Sequence, residues 1–353
     1  MKARRIASRI LIVLVSTLML VLSATLAWGA VLDFQARGLV PKGVTIVGHD
    51  LGGMTEGQAR DAIENAVSTP LMRPVTVTGD NKTWTLDPKG IVVVDADLML
   101  NEAYSPRRNA TFVTRITHQL RGESLPADIK PAYTVDSGAI TAWVATTSAQ
   151  IARKPVNATR TLVKYGFKIT PEVWGARVNQ PRAVLKIASA LTAEAALATA
   201  SREVTLPVFF TKPKYLRSSF KTAIVVSLDQ TKIFLYDGAK LIKTYRCAPG
   251  QPDWPTPRGD FKIETKQANA PWINPHAAWS ASMPAIIPAG PSNPMGVRKI
   301  GINYPGVYFH GVPAGEYGSI GSHASHGCMR MLPSQVLDLY GRVHLGDPVF
   351  IRD

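Results

Sequence analysis

Cysteine is nearly absent. Two residues, Cys247 and Cys328, occur in 353, so a disulfide scaffold and any zinc module with four cysteine ligands are excluded, and one bridge is the most the chain can form. Acidic residues are scarce too: Asp and Glu number 25 against 40 Lys and Arg, a formal net charge of +15. Such a surface attracts anionic polymers, whether nucleic acid, anionic lipid or acidic cell-wall polymers. Charged residues make up only 18% and the hydrophobic set 46%, which excludes a disordered or collagenous chain and leaves enough apolar sequence for real cores. At roughly 150 residues per domain the length fits two domains, or three. Beyond the N-terminal cluster there is no long Lys/Arg run and no aromatic-interleaved RNA-binding signature, so no nucleic acid partner is expected.

Ile10 to Leu32 form an uncharged, mostly apolar run of 23 residues, preceded by Lys2, Arg4, Arg5 and Arg9 and followed by Asp33. A helix of that length, rising about 1.5 Å per residue, spans a hydrocarbon core of about 30 Å. Residues 1–9 are then a cytoplasmic basic flank, 10–32 a single-pass signal-anchor and 33–42 a linker, with the body outside the cytoplasm. The alternative is a cleaved secretory signal, for which Ala27-Trp28-Gly29 offers a loose small-x-small site. The run is longer than the roughly 7 to 15 residues usual for such a segment.

The next region, 43–213, reads as α+β. Val44-Thr45-Ile46-Val47 reads as a strand and Asp50-Leu51-Gly52-Gly53 as a turn; Thr55 is a plausible N-cap for a helix to Val67, with Ala59, Ala62, Ile63, Ala66 and Val67 at helical spacing. Val75–Thr78 and Thr83–Leu86 flank Gly79-Asp80-Asn81 as a hairpin. A similar phrase returns: Thr83–Gly90 can be laid beside Phe167–Gly175, and the alanine-rich Ala183 to Ala200 is strongly helix-forming. The echo predicts a duplicated module, about 43–135 and 136–213. From Ala223 the pattern changes to short strands, Ala223–Leu228, Lys232–Tyr236 and Leu241–Tyr245, separated by Asp229-Gln230 and Asp237-Gly238. Frequent Gly and Pro then predict a mainly-β sandwich or barrel with long loops and one short late helix, about Pro333 to Tyr340.

Near the end lie His310-Gly311 and Ser325-His326-Gly327-Cys328-Met329-Arg330. A thiol with a reference pKa of about 8.5 is only a few per cent thiolate at neutral pH, so a nucleophilic cysteine gains from an imidazole that takes its proton. His326, two residues from Cys328, would share its face on a strand, and His310 could reach it from a neighbouring strand. Gly327 permits a tight turn, so the main-chain N–H groups of Gly327 and Cys328 could face a developing oxyanion. The competing readings are a buried structural cysteine, and a zinc site built from His310, His323, His326 and Cys328, whose spacing lacks a paired-ligand signature. No metal or cofactor is expected.

The stretch His310 to Arg330 resembles the signature of the L,D-transpeptidase catalytic domain (YkuD-type): a histidine and a small residue, a variable loop, then Ser/Thr-His-Gly-Cys followed two positions later by Arg or Asn. Val225–Tyr236, Thr256–Ile263 and Gly290–Gly296 match the same domain in order, so the resemblance covers 222–353. It implies Cys328 as nucleophile, His310 as general base and the Gly311 carbonyl as the group that orients it. Ser325, His326 and Gly327 would support the loop, the oxyanion and the substrate; Arg330 would hold a peptide carboxylate or lock the loop. One departure is Cys247-Ala248-Pro249-Gly250, where many relatives carry Ser-Thr-Gly; Cys247 reads as a small buried side chain. The opening Val44 to Thr55 resembles the start of peptidoglycan-binding domains that precede catalytic modules in bacterial envelope proteins. Together the resemblances imply three-to-three crosslinking of peptidoglycan stem peptides, donor and acceptor, through a cysteine thioester at the wall-facing side of the cell membrane. The alternatives are an L,D-carboxypeptidase using the same cysteine and a non-catalytic tether to the wall.

Overall fold

The computed structural model describes residues 2–199 and 201–353; Ala200, the last residue of the expected alanine-rich helix, and Met1 of the basic flank lie outside the described residues. The chain divides into two compact units, 1–153 with 176–210, and 154–175 with 211–353.

The first unit begins with a helix, Lys2–Gln35, long and apolar enough to cross a membrane. It runs past the apolar stretch, and Asp33 at its end is buried. A buried carboxylate requires partners; Arg107 and Arg115 provide them at 2.6 and 3.3 Å. The helix packs on Phe112–Arg121 through Gly29, where a Cβ would lie 2.5 Å from Ile116 Cγ2. Val44–Ile46 pairs in parallel with Ala127–Ile129. Thr55 caps Glu56–Ile63 in a reciprocal box with Gln58, as its position predicts, and the helical path continues through a wider turn, Glu64–Ser68, to Leu71. The hairpin Val75–Gly79/Lys82–Leu86 turns on Asp80 and Asn81, both at positive φ, as a two-residue turn matched to strand twist requires. The alanine-rich segment is two helices, Gln180–Ala190 and Ala193–Ala198. Thr192 breaks it, because its side chain accepts from Ala195 N and starts the second helix. One core holds the unit together, with Val44, Ile46, Ile63, Val77, Ile140 and Ile187 fully buried.

Element order repeats within the N-terminal 210 residues. Helix Glu56–Ile63, hairpin, strand Val92–Val94 and helix Ala96–Ala103 are followed by helix Ser137–Ile151, hairpin Thr159–Val163/Gly166–Thr170, strand Gly175–Val178 and helix Gln180–Ala190. The second hairpin, however, packs in the second unit. Phe167 meets Tyr236 and Phe350 edge-on at 5.2 and 5.4 Å, and Tyr236 Oη donates to the Tyr165 carbonyl at 2.6 Å.

The second unit is mainly β. Its sheet runs, edge to edge, Lys240–Arg246, Lys232–Asp237, Thr222–Ser227, Pro348–Arg352, Gly259–Ala268, Arg298–Ile302, Tyr308–Gly311 and Met329–Met331. Two of its pairings are parallel, Thr222–Ser227 with Pro348–Arg352 and Tyr308–Gly311 with Met329–Met331. The late helix, Pro333–Arg342, buries Val336 and Leu339 in the core. The last three strands position the site. Ile300, Phe309 and Met329 are cross-strand partners and all lie in the core. Side chains alternate between faces along a strand, so the neighbouring row Lys299, His310 and Arg330 faces the other way.

Candidate active site

Cys328 lies in the loop that leads into Met329–Met331, one residue short of the strand on which it was expected. Gly327, at φ +106°, interrupts the extended backbone, so His326 and Cys328 do not share a strand face. The His326 ring is instead stacked on Trp279, 4.2 Å between centroids and 6° between planes, and meets Trp254 at 6.2 Å.

Hydrogen bonds fix this loop. Ser325 Oγ donates to the Cys328 carbonyl at 2.6 Å and accepts from Gly327 N at 3.1 Å. That corrects one expectation: the Gly327 N–H does not face an oxyanion, because the serine oxygen beside it takes it. Buried Thr256 donates to the Gly327 carbonyl at 3.0 Å and accepts from Gly250 N at 2.8 Å. Gly250 is required there, since a Cβ would come within 2.1 Å of the Trp254 carbonyl oxygen.

His310 is 3% exposed. Its Nδ1 lies 2.7 Å from the Gly311 carbonyl, which can only accept, so Nδ1 carries the proton and Nε2 keeps its lone pair. Burial, joined by the charges of Arg330 and Lys299, pushes the imidazole down to about 4. The ring is therefore neutral at pH 7. The Cys328 thiol, partly exposed, donates to the Gly306 carbonyl at 3.4 Å. Burial of its surroundings pushes it up to about 11, against smaller opposing effects of the Tyr308 backbone, Arg330 and Lys299. The resting groups are thus a thiol and a neutral imidazole, each suited to exchange a proton only as chemistry proceeds.

One cleft of about 810 Å³ is lined by His310, Ser325, His326, Gly327, Cys328 and Arg330. Gly311 is not among its walls and contributes its carbonyl from behind. Arg330 pairs with Glu316 at 3.0 Å, and both line the cleft. Among the described residues no group of three or more His, Cys, Asp or Glu could hold a metal, and the four zinc-ligand candidates do not converge. Cys247 is fully buried, its thiol pushed up to about 12 by burial, and both cysteines are free.

Trp254, Trp279 and Lys299 also line the cleft, and none was legible as a site residue. Two buried asparagines shape the same region. Asn274 donates to the carbonyls of Ser280 and Met283, and Asn293 to those of Ala270, Ile287 and Pro288. Asn293 sits in the Gly290–Gly296 phrase that carried the resemblance, a signal for its position though not for its clamping role.

The YkuD model, the L,D-transpeptidase catalytic domain, matches residues 221–351. YqjB of Bacillus subtilis, named as an L,D-transpeptidase, is 31% identical over 135 residues, 37% of this chain and 70% of that protein. The chain belongs to the L,D-transpeptidase family. A peptidoglycan binding domain model, PG_binding_4, matches residues 83–196 of this chain, which leaves the Val44–Thr55 phrase outside the matched span. ErfK/SrfK of Salmonella typhimurium, also named as an L,D-transpeptidase, is 31% identical over 147 residues, 39% of this chain and 46% of that protein. The chain thus spans about half the length of the first curated relatives it matches. Among solved structures, the catalytic domain from the E. faecium L,D-transpeptidase is 25% identical, with 38% of this chain covering 98% of that one at a TM-score of 0.30.

Proposed function

We propose that this chain is a membrane-anchored L,D-transpeptidase that forms three-to-three peptidoglycan crosslinks through a thioester on Cys328. The thiol attacks the carbonyl of the L,D bond between the third residue and D-Ala of a donor stem. As the C–S bond forms, the proton passes to Nε2 of His310; as the C–N bond breaks, it returns to the departing D-Ala amine. An amine of a second stem then opens the thioester and the thiol is restored. The observation that carries this reading is the His310 ring, fixed as the Nδ1–H tautomer by the Gly311 carbonyl at 2.7 Å, in the same cleft as the partly exposed Cys328. Because both groups rest neutral, proton transfer accompanies attack and no standing ion pair precedes it.

The helix Lys2–Gln35, apolar and exposed along most of its length, supports the anchor, with Asp33 tying its end to Arg107 and Arg115. The basic flank sets the orientation, with the rest of the chain on the wall side of the membrane. The region 43–213 is then a wall-binding spacer. Its repeated order of helix, hairpin, strand and helix favours duplication of one module, and the net charge of +15 suits an anionic polymer.

Intact-mass analysis after incubation with a tetrapeptide stem tests the reading. A Cys328-linked tripeptide adduct, lost in Cys328→Ala, is expected, together with dimeric muropeptide when acceptor is present. Turnover without adduct would overturn it. Tripeptide and free D-Ala alone would make the enzyme an L,D-carboxypeptidase, and wall binding with undiminished biological activity in Cys328→Ala would leave a tether.

A further inference from the structure

Lys299 is half-buried in the cleft, and its ammonium lies 4.0 Å from the centre of the Tyr308 ring. Among the described residues no carboxylate comes within ion-pair distance of it and no hydrogen-bond acceptor is in reach. Arg330, on the opposite side of His310 in the same cross-strand row, is neutralised by Glu316 at 3.0 Å. Lys299 has no such counter-ion. An aromatic face compensates a desolvated ammonium only in part, and a half-buried charge without a partner opposes folding. Burial accordingly holds its pKa below the ordinary lysine value. The sheet retains a cation at a cost to its own stability, and the cation opens onto the space beside the thiol.

We propose that Lys299 selects the acyl donor, binding a carboxylate that lies beside the scissile peptide bond. This rests on the transpeptidase reading above and names the substrate feature it leaves open. Register places the lysine directly opposite His310 and His310 opposite Arg330, with Cys328 in the loop two residues before Arg330. Lys299 and Cys328 line the same cleft, so a carboxylate held by the ammonium and a carbonyl attacked by the sulfur can belong to one peptide. Two groups of a stem peptide fit: the terminal carboxylate of the departing D-Ala, and a carboxylate on the side chain of the third residue.

Binding to the full chain carrying Cys328→Ala, which cannot acylate, separates them. Three peptides are titrated calorimetrically: a tetrapeptide with diaminopimelate at position three, the same peptide with its terminal carboxylate amidated, and the same peptide with L-lysine at position three. One of the two altered peptides should bind about ten- to hundredfold more weakly than the parent, the value of one charge-assisted contact, and so identify the carboxylate. Adding Lys299→Met should weaken the parent to that same level, and Lys299→Arg should restore part of the difference. Equal affinity for all three peptides, or a difference that survives Lys299→Met, overturns the inference. A second role, stabilising the Cys328 thiolate, is tested with the cysteine intact. Lys299→Met should leave alkylation by neutral iodoacetamide within about threefold, as expected for one screened charge, and a larger fall assigns the lysine to the sulfur and overturns donor selection. Failure to find any thioester in the native chain would sink the transpeptidase reading while leaving the binding contrast standing, so the two failures are distinct.

Discussion

Acylation of Cys328 should be almost as fast at pH 5 as at pH 7. The perturbation is pH alone, and the magnitude follows from the imidazole pushed down to about 4 by burial. An ordinary histidine titrating near 6.5 would be about 3% neutral at pH 5, and a base of that kind would lose roughly 25-fold in rate between pH 7 and pH 5. With the pKa near 4 about nine-tenths of the ring stays neutral at pH 5, and the rate falls by about a tenth. On the alkaline side the thiol near 11 leaves the reactive form unchanged to about pH 10. The assay is single-turnover acylation by a tetrapeptide, read by intact mass across pH 4.5 to about 10. A flat profile between limbs outside that span is expected. An acid limb between about pH 6 and 7 would refute the neutral-pair argument, and a rate that rises as the histidine protonates would replace it with a standing thiolate–imidazolium pair.

The same shift has a stability consequence. A histidine whose folded pKa lies below its unfolded value binds fewer protons folded than unfolded, so stability is intact above about 6.5 and is lost as pH falls toward about 4. By pH 4.5 the loss attributable to His310 is about 2 to 3 kcal/mol. Urea unfolding at pH 7 and 4.5 should show this loss in the native chain and its absence in His310→Asn; equal acid sensitivity in both would refute it. Thr256→Val removes the hydroxyl that joins Gly250 N to the Gly327 carbonyl; it should cost about 1 to 3 kcal/mol and slow acylation, with thermal unfolding and intact mass as readouts. Trp279→Ala takes away the ring stacked on His326; it should raise the donor KM by up to about tenfold while alkylation of Cys328 proceeds at the native rate. Asp33→Asn leaves Arg107 and Arg115 without their buried carboxylate. A loss of about 3 to 5 kcal/mol should expose the segment after residue 35 to limited proteolysis, and unchanged cleavage would refute that ion pair's role.

The motif residues were legible because each announces its chemistry in type and spacing: a cysteine, two histidines and a glycine within a short stretch. The capped helix at Thr55 and the hairpin at Asp80-Asn81 were legible for the same local reason. What failed depended on contacts that residue type does not announce, some of them local and some remote in sequence. Thr192 reads as one more helix residue until its hydroxyl is seen accepting from Ala195 N. Gly327 reads as a flexible donor of an oxyanion N–H until Ser325 is seen to hold that N–H at 3.1 Å. The hairpin Thr159–Thr170 reads as part of the N-terminal region until Phe167 is found against Phe350, nearly two hundred positions later. Lys299 is the extreme case. Nothing around it in sequence distinguishes it from the other 39 basic residues, and its meaning comes from a strand register that sets it opposite His310 and from a ring, Tyr308, that excludes water on one side without supplying a counter-charge. Catalytic groups can be read from residue types, because their reactivity is intrinsic. A selectivity group of this kind is defined by what it lacks in the folded chain, and only the completed sheet reveals which of many like charges has been left without its opposite.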